Sequence, residues 1–188
     1  MCFPTLDQAI ASMRMVYDRL TQEAQASGSR RHDLEEGLQD RVGQPVEVWT
    51  LPAQAFVAPS PTSPPQQRNA TGMFYDGRYI IFMSDTIIPD GWWPPQLSGV
   101  WAEHFIVWHE AGHILNGEVF EDNPQARYEL MRRAHNGDSQ ARQELQQSEV
   151  EADNIAIAEV VAKANKDQNA ELATELGQAA QLRSGGGS

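Results

Sequence analysis

The chain has 188 residues, 40% of them apolar, which is enough for one domain with its own core and too many for a disordered segment. Its formal charge of −12 repels phosphate backbones, so nucleic acid is not an expected partner, and the acidity itself reads as solubility. No stretch approaches the roughly 18 apolar residues of a membrane span, and a single cysteine, Cys2, excludes an internal disulfide.

The opening residues Met1-Cys2-Phe3-Pro4-Thr5-Leu6-Asp7 carry no basic segment followed by an apolar run. No secretory leader is expected, and one unpaired cysteine suits the reducing cytoplasm. Residues 5–26 read as a helix, because Leu6, Ile10, Met13, Tyr17, Leu20 and Ala24 recur at steps of three and four and share a face. That stripe fits core packing, or contact with a partner. Gly28-Ser29 ends it.

Residues 45–52, Pro-Val-Glu-Val-Trp-Thr-Leu-Pro, read as a short strand bounded by prolines. The Pro-rich segment 58–69 follows, with Pro59, Pro61, Pro64 and Pro65, and can neither propagate a helix nor sit in a central strand. It reads as a mobile loop, with a lid or a ligand for a proline-reading domain as alternatives. Asp76-Gly77 between Gly72-Met73-Phe74-Tyr75 and Arg78-Tyr79-Ile80-Ile81-Phe82-Met83 is a hairpin signal. A small, mostly antiparallel sheet of about three strands is therefore expected. The loop 89–99 carries Trp92 and Trp93, which either wall a groove or cap the core.

From Ser98 to about Asn116 the pattern is helical, with Trp101, Phe105, Trp108, Gly112 and Leu115 on one face and Asn116-Gly117 as the stop. Asn123-Pro124 opens another helix that ends near His135-Asn136-Gly137. Asp138 or Ser139 caps a long final helix from about 139 to 165, and 163–183 reads as helical but weakly anchored. The tail 184–188, Ser-Gly-Gly-Gly-Ser, reads as a flexible linker, leaving 1–183 as a single domain. The expected fold is α+β: an N-terminal helix, the small sheet, then helices.

The chemistry concentrates in His109-Glu110-Ala111-Gly112-His113, inside a helix predicted from apolar spacing alone. Residues four apart sit one turn above each other, so both imidazoles can face one Zn²⁺ ion at about 2.0–2.1 Å. Glu110, rotated about 100° from His109, lies beside such an ion. There it can act as the base that takes a proton from a zinc-bound water. Gly112 removes bulk where another element could approach. A catalytic zinc needs a third protein ligand and one open position. Glu149 can supply that ligand from the final helix, with Asp153, one turn on, accepting the second ring N–H of a ligand histidine. Ala152 is small where two helices would cross, and Glu151 is the fallback ligand. His135 or Tyr128 could steady an oxyanion. His104 is expected to face away, and Cys2 to cap the metal only as an inhibitory thiolate.

His109-Glu110-Ala111-Gly112-His113 followed by Glu149-Val150-Glu151-Ala152-Asp153 resembles the gluzincin metallopeptidases. There, a helix bearing H-E-x-x-H precedes one bearing E-x-x-x-D. The resemblance implies that His109, His113 and Glu149 bind zinc, that Glu110 is the base and that Asp153 supports a histidine. Within that clan, residues 45–162 are most similar in layout to the ImmA/IrrE-like peptidases, on Arg78–Met83, Ile114-Leu115 and Glu151–Ala156. The chain departs from that group in Asp153, where Asn is common, and in lacking a helix-turn-helix region. The expected activity is hydrolysis of a peptide bond in a protein or peptide substrate, added along a sheet edge suggested by 78–83. The rival expectations are a zinc-stabilised, non-catalytic binding module using helix 5–26 or the proline loop, and a dedicated regulatory protease of a toxin or phage-type module.

Overall fold

Helix α1 (Leu6–Ser27) begins where Thr5 closes a reciprocal capping box with Gln8: the Gln8 N–H donates to the Thr5 hydroxyl and the Thr5 N–H donates back to the Gln8 side chain. It ends at Gly28, where a Cβ would stand 2.6 Å from the Ala24 Cα and 2.9 Å from the Leu51 side chain. The computed structural model describes residues 3–56 and 69–185. Cys2 and nearly all of the proline-rich segment lie outside the described residues.

Beyond α1 come a two-residue strand β1 (Ser29–Arg30), short helices α2 (His32–Glu35) and α3 (Leu38–Val42), and strand β2 (Val46–Leu51). The hairpin β3 (Ala70–Tyr75) and β4 (Arg78–Ser84) turns at Asp76 and Gly77, whose φ values of 50° and 77° are those of the tight turn that Asp-Gly favours. Its register pairs Tyr75 with Arg78 and Gly72 with Ile81.

The sheet has four strands in the order β1-β2-β4-β3 and is mixed. β3 is antiparallel to β4 and β1 to β2, but β2 runs parallel to β4. This corrects the sequence expectation about the substrate edge. β4 lies in the interior of the sheet, so among the described residues the edge strand beside the helices is β3. β4 is buried along almost all of its length because helices cover both faces. Tyr79, Ile81 and Met83 join the main core beneath the later helices, while Ile80 and Phe82 join a second cluster with Tyr17, Leu20 and Ala24 of α1. The apolar stripe of α1 thus packs on the sheet.

Helix α4 (Val100–Leu115) lies between the sheet and α6 (Ser139–Lys166) and is buried on most sides, including Ala102, Ile106, Val107 and Ala111. Leu115, expected on the apolar face, is 38% exposed. Helix α5 (Pro124–His135) starts with the Asn123 side chain accepting the Ala126 N–H, and α6 with Asp138 accepting the Ala141 N–H. Gln168, at φ 61°, breaks the chain after α6, and α7 (Ala170–Gly185) folds back onto the main core. Leu172 and Leu176 are fully buried there, so this segment is firmly anchored, against the expectation from its Ala-, Gln- and Glu-rich composition. Its backbone is helical through Gly185, two residues into the segment read as a tail.

Candidate metal centre

Helices α4 and α6 cross at Gly112 and Ala152. A Cβ on Gly112 would lie 2.8 Å from the Ala152 Cα and 3.2 Å from its Cβ, closer than packed carbons come. The two small residues let the backbones meet, and this brings the side chains one turn away into one cluster. Nε2 of His109 and Nε2 of His113 are 3.2 Å apart. The Glu149 carboxylate reaches both, at 3.5 Å from His109 Nε2 and 3.8 Å from His113 Nε2. Ligand atoms about 2.0–2.1 Å from a tetrahedral ion are separated by roughly 3.3–3.5 Å. The three residues form one group whose ligand atoms lie within 4.8 Å of one another.

The outer nitrogens define the proton positions. Nδ1 of His109 donates to Asp153 Oδ1 at 2.7 Å, and Nδ1 of His113 donates to Glu118 Oε2 at 2.8 Å. Ionised carboxylates only accept, so each Nδ1 carries a proton, and each Nε2 is turned into the gap between the rings. At 3.2 Å the two Nε2 atoms are close enough to share a proton or to ligate one cation. Asp153 is 5% exposed, and its burial is tolerable because of the ring N–H it accepts. Glu149 has a side chain 60% exposed, on the open side of the cluster.

Glu110 points to the sheet edge. Its Oε2 accepts the backbone N–H of Gly72 in β3 at 2.6 Å. A Cβ at residue 72 would stand 3.3 Å from that oxygen, so glycine leaves the carboxylate room. Sequence reasoning singled out neither Gly72 nor Glu118. A glycine inside a strand pattern signals a close approach of another group. Glu118 gave no comparable signal: it reaches His113 only because the chain turns at Asn116-Gly117, where the Glu118 N–H donates to the His113 carbonyl at 2.8 Å.

A cavity of about 700 Å³ adjoins the cluster, lined by His109, Glu110, His113 and Glu149 and by Gly72, Trp93 and Tyr128 among others. Trp92 and Trp93 both stand edge-on to Phe105 of α4, with ring centroids 5.6 and 5.1 Å away, and Trp93 also walls the cavity. The Tyr128 hydroxyl donates to the Pro4 carbonyl at 2.8 Å, and His135 packs against Phe3 at 5.1 Å. Both residues suggested for an oxyanion are thus engaged by the N-terminal segment. Glu151 is exposed and accepts from Gln147 at 3.0 Å, outside the cluster. His104 lies 6.3 Å from the Trp108 ring, and burial, aided by the Lys163 charge and opposed by Asp167, pushes its pKa down to about 4.

Among the described residues no helix is long and apolar enough to cross a membrane. The chain matches no protein-family model, no curated protein and no solved structure. A functional reading therefore stands on the residues of this cluster and on the motif resemblance alone.

Proposed function

We propose that this protein is a zinc-dependent peptidase of the gluzincin kind, nearest in layout to the ImmA/IrrE-like group and acting in the cytoplasm. His109, His113 and Glu149 are its zinc ligands. The observation that carries this reading is the convergence of both Nε2 atoms, 3.2 Å apart, with the Glu149 carboxylate, each ring held from behind by a carboxylate. Two imidazoles and one carboxylate suit zinc and leave a fourth position open.

When bound, zinc would supply Lewis acidity towards water and towards a peptide carbonyl. The remaining work falls to the chain. Asp153 and Glu118 hold the two rings in the tautomer that presents Nε2. The Gly72 N–H holds one oxygen of Glu110 and leaves the other to accept a proton from the attacking water. Attack forms the new C–O bond first; Glu110 then returns that proton to the amide nitrogen and the C–N bond breaks, so protons balance. An extended substrate aligns with β3, the open edge next to Glu110.

Metal analysis of purified protein beside His113→Ala tests the site: about one zinc per chain is expected in the wild type and none in the variant. Glu110→Gln then separates an enzyme from a zinc-stabilised binding module, because only an enzyme loses turnover while keeping its metal. A wild type that holds no zinc after reconstitution sinks the reading.

A further inference from the structure

The open edge of β3 is already occupied. Backbone N–H groups of an antiparallel strand alternate between its neighbour and its free side. Gly72 and Phe74, two residues apart, both turn their N–H groups away from β4. Each donates to a carboxylate: Gly72 to Glu110 at 2.6 Å and Phe74 to Glu121 at 3.5 Å. Glu121 also accepts from Tyr17, which reaches it from α1 and is itself only 3% exposed.

These contacts lie along two neighbouring cavities. The cavity at the metal cluster includes Ala70, Thr71 and Gly72, and a second cavity of about 800 Å³ includes Phe74, Tyr75 and Asp76. Met13, Tyr17 and Phe120 line both, so the two adjoin beneath α1. The six residues of β3 span roughly 20 Å, the length of an extended peptide of similar size.

We propose that Glu121 is a displaceable plug on the substrate groove, holding the Phe74 amide that the backbone of an extended peptide takes when it binds along β3. This rests on the peptidase reading above and assigns that site a substrate class: an extended segment with two or more backbone groups beyond the metal. The plug is built to leave. Its hydrogen bond to Phe74 is long, whereas the bond from Gly72 to Glu110 is short. Burial, with Asp122 nearby, also raises the Glu121 pKa, which marks its charged form as disfavoured in place. Swinging into water relieves that cost, and a neutral peptide carbonyl takes over the amide without incurring it. The competition sets a threshold that single amides or short ligands do not meet.

The test uses the zinc-loaded protein and two probes sharing one metal-binding head: acetohydroxamate, and a succinyl hydroxamate extended by Leu-Tyr-methylamide. Only the second has a strand backbone. In Glu121→Ala its dissociation constant should fall about three- to tenfold, the value of one net hydrogen bond no longer contested, while that of acetohydroxamate stays put. Tyr17→Phe, which keeps the buried ring but frees Glu121, should shift the same ratio in the same direction even if the alanine variant folds poorly. An unchanged or weakened peptidyl probe in folded variants, or a peptidyl probe no tighter than acetohydroxamate throughout, overturns the plug. Failure of acetohydroxamate to bind wild type points instead to failure of the zinc site, on which the plug depends.

Discussion

Replacing Gly112 by alanine should separate metal affinity from fold stability. The added Cβ meets the Ala152 Cα at 2.8 Å. Carbon atoms in packed interiors sit at about 3.5–4.0 Å, so α4 and α6 must move apart by roughly 0.7 Å or more. Overpacking of this size typically costs about 1–3 kcal/mol. Alanine in a helix interior recovers about 1 kcal/mol relative to glycine. The metal-free protein should therefore lose only about 0–2 kcal/mol, which is a few degrees in Tm for a domain of this size. The site is less forgiving. Metal–ligand distances hold to within about 0.2 Å, and both histidines ride on α4 while Glu149 rides on α6, three residues from the clash. Rotation of the exposed Glu149 side chain absorbs part of the shift, so zinc affinity should fall roughly 10- to 100-fold. Denaturant melts of metal-free protein and competition titration against a chelator read the two quantities separately. Adding Ala152→Gly removes the Cβ contact at 3.2 Å but not those to the Cα and the carbonyl oxygen, so rescue should be partial. A folded Gly112→Ala protein with wild-type zinc affinity would refute the argument that this crossing aligns the ligands.

The other predictions probe what lies around that crossing. Glu118→Ala and Asp153→Ala each leave a ring N–H without its acceptor and should weaken zinc about 10- to 100-fold, with Glu118→Gln and Asp153→Asn milder, by the same titration; equal affinities would make those carboxylates bystanders. His104 gives a pH signature. Between pH 6.5 and about 4 the unfolded chain takes up a proton that folded His104 refuses, so stability falls as pH drops through that window and the loss levels off below it. The shift caps the effect at about 3 kcal/mol, and partial exposure of the ring reduces it to roughly 1–2. Urea midpoints of wild type and His104→Gln should differ by a constant offset near neutral pH, with wild type losing stability relative to the variant as pH falls from 6.5 to about 4, and parallel curves would contradict it. Leu176→Ala, in the α7 core, should cost about 2–5 kcal/mol in urea melts, against almost nothing if α7 were only loosely held.

Readings set by local rules survived the structure, while strand direction and the return of the last helix, which depend on distant parts of the chain, were not legible. The i, i+4 geometry of His109 and His113, the caps at Asn123 and Asp138 and the Asp76-Gly77 turn are each set within a few residues. The small pair Gly112 and Ala152 was also legible, because a close helix crossing has few solutions. The parallel run of β2 beside β4 was not, since the same apolar strand fits either direction. Nor was the anchoring of α7, which depends on one left-handed residue, Gln168, folding the chain back so that Leu172 and Leu176 meet the core.

The least legible part of the site ties the two kinds of information together. Glu110 is oriented by an amide 38 positions away, and that amide faces outward only in one register of the hairpin. A slip of one residue would turn the N–H of Thr71 or Met73 to the edge in place of Gly72 and move Met73, fully buried here, off the core. It would also put a side chain about where a Cβ at residue 72 would stand, 3.3 Å from the carboxylate oxygen, and press on the Glu110 side chain. The register is fixed by a two-residue turn whose positive φ angles at Asp76 and Gly77 few residue pairs adopt. A local turn signal far from the metal cluster therefore determines where the proposed base points, and the hairpin belongs to the site as fully as the helix that carries the histidines.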